Sequence, residues 1–130
     1  MPQRAMQHDT DPRQLIWDKI GDLSDIKVMY SQVLLGIYER PEKTKSGIIL
    51  TDQHRDEDKF QGKICMVLKM GPLAFQDTDE VQFHGQSVEV GDWVSIRTSD
   101  GWALNIRGQA CRMVSDTGIR LVVEDPDSVY

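Results

Sequence analysis

The side chains able to do chemistry in this chain are few, and their spacing suits none of the common reactions. The three histidines, His8, His54 and His84, stand apart in polar surroundings. None has a partner at the spacing of a zinc site, so they are expected as solvated surface groups. Asp56-Glu57-Asp58 would attract a cation, but the alternating ligands of a calcium loop are missing and a solvated charge run explains it. Cys65 and Cys111 each lie in an apolar, strand-like run. They are expected as buried free thiols in a reducing compartment. A disulfide between them stays open, because sequence gives no distance. No glycine-rich phosphate loop and no G-x-S-x-G elbow occurs. Trp93 and Trp102 flank Asp100-Gly101, and packing in the core or across strands accounts for them. The expectation is a non-enzyme with no catalytic residue, no cofactor and no metal.

Recognition is the chemistry that remains. Residues 43–52 read K-T-K-S-G-I-I-L-T-D, which places Ile48, Ile49 and Leu50 together inside a polar and charged run. Neighbouring side chains on a strand point to opposite faces, so three consecutive aliphatics do not make a half-buried strand. They either plug into the chain's own core as a short strand or are offered to a partner. In the second reading the contact residues are Lys45, Ser46, Gly47, Ile48, Ile49, Leu50 and Thr51. Burying three such side chains is worth roughly 5–9 kcal/mol, and ordering a loop costs about 1–2 kcal/mol per backbone residue fixed. One copy would bind weakly, so an anchor of this kind is useful in several copies on a symmetric partner.

Composition narrows the partner. A chain of 130 residues carrying a net charge of −6 supports one domain, or one domain with a short appendage. It argues against nucleic acid or an anionic membrane as the partner. No apolar run approaches a bilayer-spanning length, and residues 1–12 lack the apolar core of a signal peptide, so synthesis in the cytoplasm is expected.

The elements follow from local signals. Asp11-Pro12 offers an N-cap with proline at the first helical position, and Gly21 offers a stop. The spacing of Leu15, Ile16 and Ile20, with Trp17 nearby, predicts a short amphipathic helix over 12–20. The sequence leaves open whether its apolar side packs on its own domain or on a neighbour. In the second case Leu15, Ile16, Trp17 and Ile20 form an arm that binds a partner. Strands are expected over 27–38, with Gly36 marking a bulge, and over 62–70, 93–98, 102–106, 109–114 and 119–123. His84-Gly85, Asp100-Gly101 and Arg107-Gly108 supply the turns. The expected class is all-β, a small antiparallel barrel. An N-terminal arm with a short helix occupies 1–25, a barrel domain 26–130 with an extended loop over 39–61, and an acidic tail 124–130.

With these motifs in place, the chain resembles the co-chaperonin, GroES-like family from about Lys27 to Val123. T-K-S-G-I-I-L at 44–50 resembles the family's mobile loop, whose aliphatic tripeptide docks into a groove of the chaperonin. V-E-V-G-D-W-V at 88–94 and S-D-T-G-I-R-L-V-V at 115–123 resemble its conserved turn and terminal strand. The opening 27–33, the charged tract Arg55–Lys59 and the arm depart from the family pattern. The stretches E-R-P-E-K-T-K-S-G-I, R-D-E-D-K-F-Q-G-K and G-P-L-A-F resemble GroES-like proteins of tailed phages, some of them virion components. This resemblance implies a phage capsid decoration or cement protein on the virion surface, made in the host cytoplasm. Its arm and loop would grip the major capsid protein or other virion subunits. The alternative is a phage co-chaperonin that caps the host chaperonin as a symmetric multi-copy assembly and assists folding of capsid proteins.

Overall fold

The computed structural model describes residues 11–39, 64–97 and 99–128. Helix α1, Pro12–Ile20, begins where Asp11 accepts a hydrogen bond from the Arg13 amide at 2.9 Å. It ends at Gly21, whose N–H donates to the Trp17 carbonyl at 2.8 Å. Six strands follow: β1 Gln32–Ile37, β2 Ile64–Met70, β3 Trp93–Ser95, β4 Trp102–Ile106, β5 Gln109–Ser115 and β6 Leu121–Val123. All pairings are antiparallel, in the order β4-β5-β1-β2-β3-β6. The expected all-β architecture with one short helix is therefore observed, and it fits a GroES-like barrel.

The turns form where glycine follows a residue that tolerates a positive φ. His84 and Gly85 have φ of 54° and 78°, and Arg107 and Gly108 have 54° and 89°. Both pairs of left-handed residues make tight turns; His84-Gly85 lies in a stretch without strands, and only Arg107-Gly108 sits where a turn matches strand twist. The second joins β4 to β5 directly, with Ile106 opposite Gln109.

Strands β1 and β2 read as near-continuous apolar runs because the sheet is covered on both sides. Val33, Leu35, Ile37, Cys65, Val67, Val94 and Val114 fill the inner cluster, with Val88 and Ile96. Leu34, Tyr38, Ile64, Met66, Leu68, Trp93 and Cys111 point the other way and form the outer cluster with Ile16, Ile20, Leu23 and Val28. Cys65 pairs with Ile37 and Cys111 with Gly36. Adjacent positions on β1 face opposite ways, so the two thiols lie on opposite sides of the sheet. Both are free and buried, and the disulfide that the sequence left open does not form.

Gly36 has a different job from the one expected. The irregularity in β1 falls between Leu34 and Leu35, where the register on β2 steps from Lys69 to Val67. Gly36 instead makes room for the helix: a Cβ there would stand 3.1 Å from Ile16 Cγ2 and 3.2 Å from Leu68 Cδ1. Three strands are shorter than expected. Residues 27–31 are not strand, with Tyr30 at a φ of 55° and its carbonyl accepting the Leu73 amide at 3.0 Å. Strand β3 ends at Ser95, and a 3₁₀ turn at Asp116–Gly118 delays β6 to Leu121. Trp93 is buried in the core, whereas Trp102 is 59 % exposed on an edge strand, opposite Met113 of β5, which leaves it the cross-strand place and not the core one.

Candidate partner-binding site

Lys45, Ser46, Gly47, Ile48, Ile49, Leu50 and Thr51 lie outside the described residues. The two roots of the segment that carries them are described. Tyr38 donates its amide to the Ile64 carbonyl at 3.0 Å, so these two residues stand side by side in the sheet. Tyr38 is buried and meets the Trp93 ring edge-on, with centroids 5.4 Å apart and planes at 66°. Its hydroxyl donates to the Asp127 carboxylate, in a 3₁₀ turn at Pro126–Ser128. Next along the chain, Glu39 Oε1 is buried without a hydrogen-bond partner among the described residues.

Helix α1 packs on the outer cluster to which Tyr38 and Ile64 also belong. Ile16 and Ile20 are buried in the same cluster as Tyr38 and Ile64, and Trp17 packs against that cluster half-buried. Two aliphatics sunk in their own chain's core, worth about 1.5–3 kcal/mol each, are not available to a partner. Of the two placements the sequence left open, the structure has Ile16 and Ile20 packed on their own domain. Leu15, at 49 % exposure, faces solvent.

Basic side chains of the barrel and of α1 hold the helical segment in place. Arg13 Nε donates to the Gly91 carbonyl at 2.6 Å, and the guanidinium stands 5.6 Å from the Trp93 ring centroid, within cation–π range. Lys69 Nζ donates to the Leu23 carbonyl at 2.9 Å and to that of Ile26. Arg107 donates to the Ile20 and Asp22 carbonyls at 2.7 Å each and forks onto the Asp25 carboxylate at 2.7 and 2.8 Å. The Arg107 hydrogen bond keeps the Asp25 carboxyl below its ordinary range. The hydroxyl of Ser24 does the same for Asp22. Burial pushes the Cys65 thiol up to about 12 and the Cys111 thiol up to about 11.

Sequence reasoning missed Tyr38, Asp127, Arg13, Lys69 and Arg107. Asp127 stood in what read as an acidic tail, 89 residues from Tyr38, and no local pattern joins them. The described residues also leave β4 and β6 as the sheet's two edges. On β6, Leu121 and Val122 are exposed beside a cleft of about 670 Å³ lined by Phe75, Phe83, Val88, Ile119 and Arg120. No group of three metal-ligating side chains comes together among the described residues. None of their helices is long and apolar enough to cross a membrane.

The sequence is similar to known proteins. A family model described as "Chaperonin 10 Kd subunit" matches residues 25–123. Curated relatives include the co-chaperonin GroES of Caldicellulosiruptor saccharolyticus, 27% identical over 100 residues, covering 77% of this chain and 98% of the relative. The co-chaperonin GroES of Caldicellulosiruptor bescii matches with the same identity and coverage. That of Aquifex aeolicus is 30% identical over 105 residues, 80% of this chain and 81% of the relative.

Proposed function

The chain belongs to the chaperonin 10 kDa subunit family, and from that premise we propose that it is a co-chaperonin, a binding protein that caps a chaperonin. The observation that carries this reading is similarity to proteins named co-chaperonin over 98% of the relative's length. The matched range includes the 40–63 segment with its aliphatic tripeptide. Ile48, Ile49 and Leu50 are the contact residues in this reading, with Lys45, Ser46, Gly47 and Thr51 framing them. Because one tripeptide binds weakly, the chain works as a symmetric multi-copy assembly in which effective concentration multiplies the contacts. Among the described residues β4 and β6 are the sheet edges, and the exposed Leu121 and Val122 on β6 suit such self-association. The names of these relatives favour this over a capsid-decoration protein on the virion. That reading relied on an arm free to grip neighbours, and Ile16 and Ile20 are engaged at home. The phage-like stretches support a phage-borne form of the co-chaperonin.

The test adds the chain to a chaperonin with nucleotide and looks for a capped complex by electron microscopy and gel filtration. The wild type should cap, and Ile49→Asp should abolish capping. Capping that survives Ile49→Asp would remove the loop from its role; a wild type that never caps would end the reading.

A further inference from the structure

Helix α1 and the Pro126–Ser128 turn both lie outside the family-matched range 25–123. These two segments reach one aromatic pair, Tyr38 and Trp93. Ile16 and Ile20 share a buried cluster with Tyr38 and Ile64, which stand next to the two ends of the 40–63 segment. From the other end of the chain, Asp127 takes the Tyr38 hydroxyl. Trp93 joins the two sides, with the Tyr38 ring edge-on and Arg13 of α1 standing over it.

We propose that α1 and the Pro126–Ser128 turn form a clamp on the root of the 40–63 segment, with Tyr38 and Asp127 as its positioning residues. The clamp raises affinity for the partner that this segment binds. The physical basis is preorganisation. Fixing both stems removes part of the ordering cost that binding must otherwise meet. A hydroxyl–carboxylate bond is a charge-assisted contact strong enough to hold a ring in one orientation. The link to affinity rests on the co-chaperonin reading; the clamp itself does not.

The experiment therefore has two arms on the full chain. In the first, limited trypsin digestion of the native protein is followed by mass spectrometry at Lys43 and Lys45. Asp127→Ala should raise cleavage there roughly three- to tenfold, the scale expected for loss of one hydrogen bond, without changing cleavage elsewhere. Tyr38→Phe, which keeps the ring and removes only the hydroxyl, should do the same. Asp127→Asn, which retains an acceptor oxygen, should restore the wild-type rate. In the second, affinity for a nucleotide-loaded chaperonin is measured for the same variants. Asp127→Ala and Tyr38→Phe should weaken it by a similar factor at unchanged oligomeric mass, and the double variant should add nothing more. Unchanged cleavage in both single variants overturns the clamp. Changed cleavage with unchanged affinity overturns its role in binding. A wild type that binds no chaperonin overturns the functional reading of the preceding subsection, while the digestion arm still decides the clamp.

Discussion

The two faces of the central sheet are equally dry but differently made. Every residue of the inner cluster, from Val33 to Val114, falls within the family-matched range, and the strands with the Val88 segment close over it. The outer cluster draws Ile16 and Ile20 from a helix that precedes that range. No strand ladder holds the helix to the sheet. Its attachments are buried side chains and polar contacts, such as Arg107 on the Ile20 and Asp22 carbonyls. The inner face is thus the body of the fold, whereas the outer face is closed in part by an element that precedes the family-matched range. Local openings with free energies below that of global unfolding are expected of such elements.

The two cysteines report on the faces separately, since Cys65 belongs to the inner cluster and Cys111 to the outer. With thiols pushed by burial up to about 12 and about 11, alkylation at neutral pH reads opening. Leu35→Ala empties the inner cluster and should cost about 2–5 kcal/mol in urea unfolding. Both thiols should then become reactive together. If only Cys65 reacts, the inner face opens independently and the contrast drawn above is reversed.

Gly36→Val drives a side chain between Ile16 Cγ2 and Leu68 Cδ1, at 3.1 and 3.2 Å from the new Cβ. Overpacking of this kind costs about 1–3 kcal/mol. Cys111 should label several times faster while Cys65 keeps its rate. Equal acceleration of the two would mean that helix and sheet unfold as one body.

The smallest effect concerns Asp25. Its carboxyl is lowered from 3.8 by the Arg107 hydrogen bond, so the stability it adds is fully present above pH 3.8 and is lost as pH falls through the lowered value. The pair is exposed and screened, so the gain is small. The difference in melting temperature between wild type and Asp25→Asn should be constant near neutrality and close on acidification below pH 3.8. A gap that persists at the lowest pH would show that the Arg107 fork contributes nothing through charge.

Local chemistry made much of the fold legible. Asp11-Pro12 and Gly21 bounded α1 to the residue, because capping groups act within one turn. His84-Gly85 and Arg107-Gly108 became tight turns because their backbone needs are met by the residues themselves. Strand ends were harder, as with 27–31, where Tyr30 turns out of the ladder toward Leu73, 43 positions along the sequence. The candidate tripeptide was read from its aliphatic clustering alone and lies outside the described residues, while its roots at Tyr38 and Ile64 emerged only from packing.

By itself the sequence determined one short capped helix, a set of apolar strands with their turns, two thiols in hydrophobic runs, and the motifs of the family. Tertiary structure decided that α1 belongs to its own barrel, that Gly36 is a seat and not a bulge, that Trp102 faces outward, and that Asp127 reaches Tyr38. The reason is range. Caps and turns are satisfied by neighbours in the chain, whereas a seat or a clamp exists only once segments as far apart as 89 residues have been brought together.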